Sequence, residues 1–171
     1  MITVWQYGSN MNNERLNEPE RLDGSAIFSG LAIKSGYELA FTHTNKDGIG
    51  VSDIVKSENG YVIGCLFKIP KSKLPKLDAI EGVNSGAYYR RDDFVVKELD
   101  SLLNITSRKI KAITYIVVKK EANPRTNSDY ANHMLKGIKD HNIGLKYFNK
   151  VKMIILENNP KIEKDLISYQ I

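Results

Sequence analysis

The sequence predicts an α+β fold, a small barrel-like mixed β-sheet with flanking helices, in a single domain over residues 1–171. Three observations carry that expectation. Runs rich in β-branched and aromatic residues, punctuated by glycine, occupy the chain from Ile2 to Val118. Helical spacing takes over from Asp129 onward. Strands gathered ahead of helices, rather than alternating with them, are the pattern of α+β architectures.

Ile2 to Tyr7 reads as the first strand and runs into Gly8-Ser9-Asn10-Met11. Asn12 to Leu16 then suits a short helix, with Asn10 or Asn12 as its N-cap. A strand that feeds such a turn and a helix presents several free backbone N–H groups at one point. That suits a carboxylate or a developing oxyanion, although Gly-Ser-Asn is also ordinary turn chemistry. Residues 26–33, 37–42, 51–55 and 61–67 read as four strands, with Gly30, Gly36, Gly48, Gly50 and Gly60 as punctuation. Tyr88 to Leu99 and Ile110 to Val118 read as two more, joined by a polar connection from Asp100 to Arg108. Asn123 to Ser128 signals a turn and a helix start. Asp129 to His141 and Ile143 to Ile155 carry helical spacing, and Pro160 ends the second helix before one further turn.

Between the strands lies the stretch around which the rest is organised, Leu77-Asp78-Ala79-Ile80-Glu81-Gly82-Val83-Asn84-Ser85-Gly86-Ala87-Tyr88. It opens as a helix for which Ser72 is a plausible N-cap and Pro75 lies in the first turn. Leu74, Leu77 and Ile80 share an apolar side, and Glu81, four residues after Leu77, lies on it too. Gly82 ends the helix and Gly86 permits a second sharp turn. A carboxylate so placed can be partly desolvated, which raises its pKa and suits it to proton transfer. The same pattern also fits a surface glutamate near a helix terminus. In the strand that follows, alternation points Tyr88 and Arg90 to one side and Tyr89 and Arg91 to the other, so one pair meets the site.

The composition is that of an ordinary globular chain, with one cysteine and a formal charge of +5. Cys65 leaves no disulfide framework, which points to a reducing, cytoplasmic setting. No apolar run reaches membrane-spanning length, and the N-terminus lacks a signal-peptide pattern, so no membrane partner is expected. The scattered lysines fit an anionic small substrate or plain solubility about as well as nucleic acid. The motifs of RNA-binding sheets, zinc fingers and helix-turn-helix domains are missing. The three histidines, His43, His133 and His141, have no zinc-ligand spacing, and His133 and His141 read as a partly exposed helix face, so no metal is assigned. Cys65 lies in an apolar strand and reads as packing, Ser9 has no activating histidine in a motif, and Gly48-Ile49-Gly50 lacks the remainder of a dinucleotide fingerprint.

Tyr7-Gly8-Ser9-Asn10-Met11 after the first strand, together with Leu77-Asp78-x-x-Glu81-Gly82-Val83-x-Ser85-Gly86-x-Tyr88, resembles the gamma-glutamylcyclotransferase family. Ser128-Asp129-Tyr130, with Gly137 and Gly144-Leu145-x-Tyr147, is similar to that family's C-terminal helical segment. The likeness runs from about Val4 to Val151, and the last twenty or so residues lie outside it. It implies an enzyme that closes the glutamyl group of gamma-glutamyl peptides or amines to 5-oxoproline and frees the amine, without cofactor or metal. By the resemblance Glu81 is the general base, Tyr7, Gly8, Ser9 and Asn10 grip the glutamyl moiety, and Tyr88 and Tyr130 lie near the substrate. Val4, Trp5 and Gln6 depart from the family's usual residues before the turn, which bears on substrate choice. The partner implied is a small gamma-glutamyl molecule, and the chain leaves room for a homodimer. Two other readings are a non-catalytic small-anion-binding module of the same fold and a basic nucleic-acid-binding domain. An added carboxylate would not help the first hold an anionic glutamyl group.

Overall fold

The computed structural model describes residues 1–170. Five strands close into a barrel: β1 (Ile2–Gln6), β2 (Ile27–Thr44), β3 (Gly50–Ile69), β4 (Tyr88–Leu99) and β5 (Ile105–Val117). Their order around the barrel is β1-β3-β2-β4-β5, and the sheet is mixed. β1 runs antiparallel to β3 but parallel to β5, where Val4 faces Ile113 and closes the ring. Trp5 fills the interior, stacked on Phe94 and donating its indole N–H to Ala32 O at 3.2 Å.

The strands expected at 26–33, 37–42, 51–55 and 61–67 are two long ones. β2 and β3 pair along almost their whole length, and the hairpin tip at 45–49 is the one true turn among them. Register shifts lie between Phe28 and Gly30 and between Ser35 and Tyr37, so Gly30 and Gly36 mark bulges that bend a continuous strand rather than end it. The connection expected to run from Asp100 to Arg108 is also shorter. Asp100 Oδ1 accepts from Leu102 N and Asn104 N at 2.9 and 2.8 Å, which closes a tight turn and lets β5 begin at Ile105.

The helices are α1 (Asn13–Leu16), α2 (Leu74–Ile80), α3 (Ser128–Asp140) and α4 (Leu145–Asn158). Asn12 caps α1 by accepting from Arg15 N, and Asn127 caps α3 by accepting from Tyr130 N. Ser72 does not cap α2. It sits inside a 3-10 turn at Lys71–Lys73, and Lys73 takes the cap position without a side-chain bond. α3 packs against the loop after β1 so closely that a Cβ on Gly137 would lie 2.6 Å from Met11 Cβ. The stretch beyond the family likeness is integral to the fold: Asn158 accepts from Thr126 N at 2.8 Å and donates to Asn123 Oδ1 at 2.8 Å, pinning the approach to Tyr130.

Candidate active site

β1 delivers Gln6 and Tyr7 to the mouth of the barrel, and the chain turns there through a 3-10 turn at Ser9–Met11. The loop is tied down from several sides. Tyr7 donates its hydroxyl to Tyr115 O at 2.6 Å, and His141 Nε2 lies 3.0 Å from Met11 O. Asn12 Nδ2 is 3.1 Å from His133 Nδ1. His133 and His141 are partly exposed, as their spacing suggested, and both also reach this loop. The first N–H groups of the 3-10 turn, on Ser9 and Asn10, have no partner among the described residues, as the start of any helical turn dictates.

Glu81 arrives from the opposite side of the mouth. It is the C-cap of α2, its N–H bonded to Leu77 O at 2.9 Å, and the chain leaves through Gly82 and Gly86, both at positive φ. Asp78, one turn earlier, anchors the helix end: it accepts from Tyr115 Oη at 2.9 Å and from Arg90 Nη1 at 2.6 Å. Asn10 Nδ2 then donates to Glu81 Oε1 at 2.6 Å, joining groups 71 positions apart. Arg21 Nη2 donates to Asn10 Oδ1 at 2.5 Å, which fixes the amide with its nitrogen toward the carboxylate.

A cavity of about 40 Å³ lies between the two, lined by Gln6, Tyr7, Gly8, Ser9, Asn10, Ser52, Glu81, Tyr88, Tyr115 and Tyr130. All seven residues singled out from the sequence border it: Tyr7, Gly8, Ser9, Asn10, Glu81, Tyr88 and Tyr130. Its floor is a tyrosine cluster on Ser52: Tyr88 donates to Ser52 O at 2.7 Å, and Tyr130 Oη accepts from Ser52 N at 3.0 Å and lies 2.8 Å from Ser52 Oγ. Behind it, fully buried Asp53 accepts from Thr42 Oγ1 and Val117 N and pairs with Lys120. The alternation of β4 holds, with Tyr88 in the cavity, Arg90 on Asp78, and Tyr89 turned outward.

Burial pushes the Glu81 carboxyl above its ordinary value, against the opposing pull of the Asn10 hydrogen bond and the Arg21 charge. Burial likewise pushes the Tyr7, Tyr88 and Tyr115 phenols up, so these hydroxyls stay protonated and donate. The site thus presents one carboxylate poised to accept a proton, a rim of neutral hydroxyls whose protons are held by the protein, and free backbone N–H groups on Ser9 and Asn10. No group of three or more His, Cys, Asp or Glu that could hold a metal is found among the described residues.

Sequence reasoning missed Ser52, Tyr115, Arg21 and the Asp53–Lys120 pair, and it named Gln6 only as a departure bearing on substrate choice, without placing it in the cavity wall. Gln6 is buried with its Nε2 unpartnered at the cavity wall. The one available signal was that a Gln inside an apolar first strand needs a polar partner.

Residues 61–151 match the AIG2-like family. The chain is 29% identical over 153 residues to gamma-glutamylcyclotransferase of Homo sapiens, covering 86% of this chain and 76% of that one. It is 28% identical over 156 residues to the Mus musculus protein of the same name, with the same coverage. The structure overlays on a solved gamma-glutamyl cyclotransferase with a TM-score of 0.75 at 26% identity, covering 88% of this chain and 86% of that one. The family match spans more than half of the chain and carries Glu81, Tyr88 and Tyr130. By its sequence and its barrel, this chain belongs to the AIG2-like, gamma-glutamylcyclotransferase-type family.

Proposed function

We propose that this protein cyclises the gamma-glutamyl group of a gamma-glutamyl peptide or amine to 5-oxoproline and releases the free amine, with Glu81 as general base and then general acid. The observation that carries this is the meeting of Glu81 with the Tyr7–Asn10 loop in one cavity, through the 2.6 Å bond from Asn10. The gamma-glutamylcyclotransferase relatives support a reaction of this type.

The substrate brings its own nucleophile. Glu81 accepts a proton from the α-ammonium, and the freed amine attacks the γ-carbonyl carbon. A C–N bond forms, the five-membered ring closes, and the carbonyl oxygen becomes an oxyanion. Glu81 returns its proton to the departing nitrogen as the original γ-amide C–N bond breaks, then takes the second proton that the ring nitrogen still carries and passes it to the released amine, leaving a neutral lactam and an ammonium. No water is consumed and no cofactor is drawn upon, since nucleophile and leaving group both belong to the substrate. Holding the glutamyl chain folded is the largest contribution, because well-oriented intramolecular reactions reach effective molarities of about 10^5–10^8 M. The positioned carboxylate adds roughly 10^2–10^4-fold. The Ser9 and Asn10 N–H groups supply donors for the substrate carboxylate or the oxyanion.

The test is incubation with a panel of gamma-glutamyl dipeptides, glutathione and gamma-glutamyl amines while 5-oxoproline is followed. Release of 5-oxoproline from at least one of them by the wild type, and not by Glu81→Gln, is the expected result. A wild type silent on the whole panel would overturn the reading.

A further inference from the structure

The small cavity opens into a second one of about 560 Å³, which shares Ser9, Asn10, Glu81, Tyr88 and Tyr130 with it. Its wall contains Arg15 from α1 and Arg21 from the segment that follows. These two side chains are unlike the arginines of β4 and β5, where Arg90, Arg91 and Arg108 each pair with an aspartate or glutamate. Among the described residues neither Arg15 nor Arg21 forms an ion pair. Arg21 makes one hydrogen bond, to the neutral Asn10 amide, and the Arg15 guanidinium makes none. The Nε atoms of both are buried without a partner. They line the same cavity, and burial and then the Arg15 charge lower the Arg21 pKa.

Two guanidinium groups drawn partly out of water on one cavity wall, with no directly paired carboxylate, are unfavourable until an anion joins them. The groups facing them do not supply one. Glu81 is reached only through Asn10, while Glu18 and Glu20 act on Arg21 without bonding it. Lys46 and His43 add to the basic side of the cavity, against Asp47.

We propose that Arg15 and Arg21 form a carboxylate-binding subsite in the outer cavity. The planar fork of a guanidinium matches a carboxylate in geometry and charge, and arginine keeps its charge when desolvated. The identity of the ligand rests on the cyclotransferase reading above. A gamma-glutamyl amino acid carries two carboxylates, the glutamyl α-carboxylate and that of the amino acid to be released, and either offers the same chemistry to the pair.

The test uses Glu81→Gln as a non-turning-over background and calorimetry with three ligands. Gamma-glutamyl-alanine carries both carboxylates, gamma-glutamyl-alaninamide lacks the released one, and 4-aminobutyryl-alanine lacks the α-carboxylate. Arg15→Gln and Arg21→Gln, added singly, should each weaken binding of gamma-glutamyl-alanine by about 10- to 100-fold. If the subsite holds the α-carboxylate, the alaninamide weakens equally and 4-aminobutyryl-alanine is unaffected. If it holds the released carboxylate, that pattern reverses. Equal binding of all three ligands by the arginine variants and their parent would overturn the subsite. A second measurement separates this from failure of the cyclotransferase reading: thermal unfolding of the otherwise wild-type chain in millimolar glutarate, with and without each arginine. Stabilisation by glutarate that both variants lose keeps the subsite even if no gamma-glutamyl ligand binds. Absence of stabilisation in wild type, together with no binding in the first assay, removes it.

Discussion

Replacing Asn10 by leucine removes the donor that touches Glu81 while nearly preserving volume, so Arg21 is not simply drawn into the gap. The lost bond is short, 2.6 Å, and its acceptor is a carboxylate. Hydrogen bonds to charged groups are worth about 1.5–3 kcal/mol, and about 1.4 kcal/mol moves a titration by one pH unit. The Asn10 bond opposes the upward push of burial on Glu81, so its loss raises that pKa further. The acid limb of kcat/KM on a gamma-glutamyl dipeptide should therefore move up by about one to two pH units. Activity at a pH on that limb should fall about 10- to 100-fold and recover toward higher pH. A uniform drop at all pH values would instead report lost substrate contacts. Stability follows with a defined sign. A carboxyl whose pKa is raised by folding contributes its stability fully below the unfolded value, and that contribution is lost as the pH rises through the folded value. The Tm gap between Asn10→Leu and wild type should accordingly be smallest in acid and widen as the pH rises through the folded Glu81 value. Titration of labelled glutamate carboxyls by NMR, with Glu81→Gln to assign the signal, reads the same shift without substrate. An acid limb and a carboxyl signal that both stay in place would refute the argument that this bond holds Glu81 ionised.

Glu81→Gln should keep the fold and lower turnover by at least about 10^2-fold, checked by circular dichroism alongside 5-oxoproline release. At Gly8, φ is negative and the constraint is space: a Cβ would overlap Ser52 Oγ and come within 3.6 Å of Tyr130 Oη. Gly8→Ala should therefore raise KM by disturbing the Ser52–Tyr130 contact, and a crystal structure with Ser52 unmoved would contradict that cause. Tyr130→Phe leaves the Ser52 N–H without its acceptor, and chemical denaturation should show a loss of about 1–3 kcal/mol. Lys120→Met strands the Asp53 carboxylate on Thr42 and Val117 alone, with an expected loss near the lower end of about 3–5 kcal/mol, because the lysine end of the pair is partly in water. Unchanged denaturation midpoints in that variant would mean that water replaces the ammonium at no cost.

What the sequence determined by itself is local. Gly82 stops a helix whose Leu77 faces the core, the first short helix starts after an asparagine cap narrowed to Asn10 or Asn12, a helix begins after the Asn123–Ser128 turn, and the β-rich runs become strands, because each depends on neighbours a few residues away. The pairing of the Tyr7–Asn10 loop with Glu81 was legible only through two short motifs taken together, since no periodicity links positions 71 apart. The rest was decided by closure of the barrel. In β1, Val4, Trp5 and Gln6 are all buried, because one side faces the barrel interior and the other the covering elements, so alternation carries no sign of which side holds polar Gln6. Glycines that mark turns in a short strand mark bulges in a long one, and only pairing along β2 and β3 tells the two apart. Ser52, Asp53 and Tyr115 look like ordinary strand residues until register sets them beneath Tyr130, Lys120 and Asp78. Arg15 and Arg21 look like solvated surface charges until the loop after α1 folds over the cavity mouth and takes them partly out of water. Side-chain chemistry is written residue by residue, whereas desolvation and partnership arise only when distant segments meet.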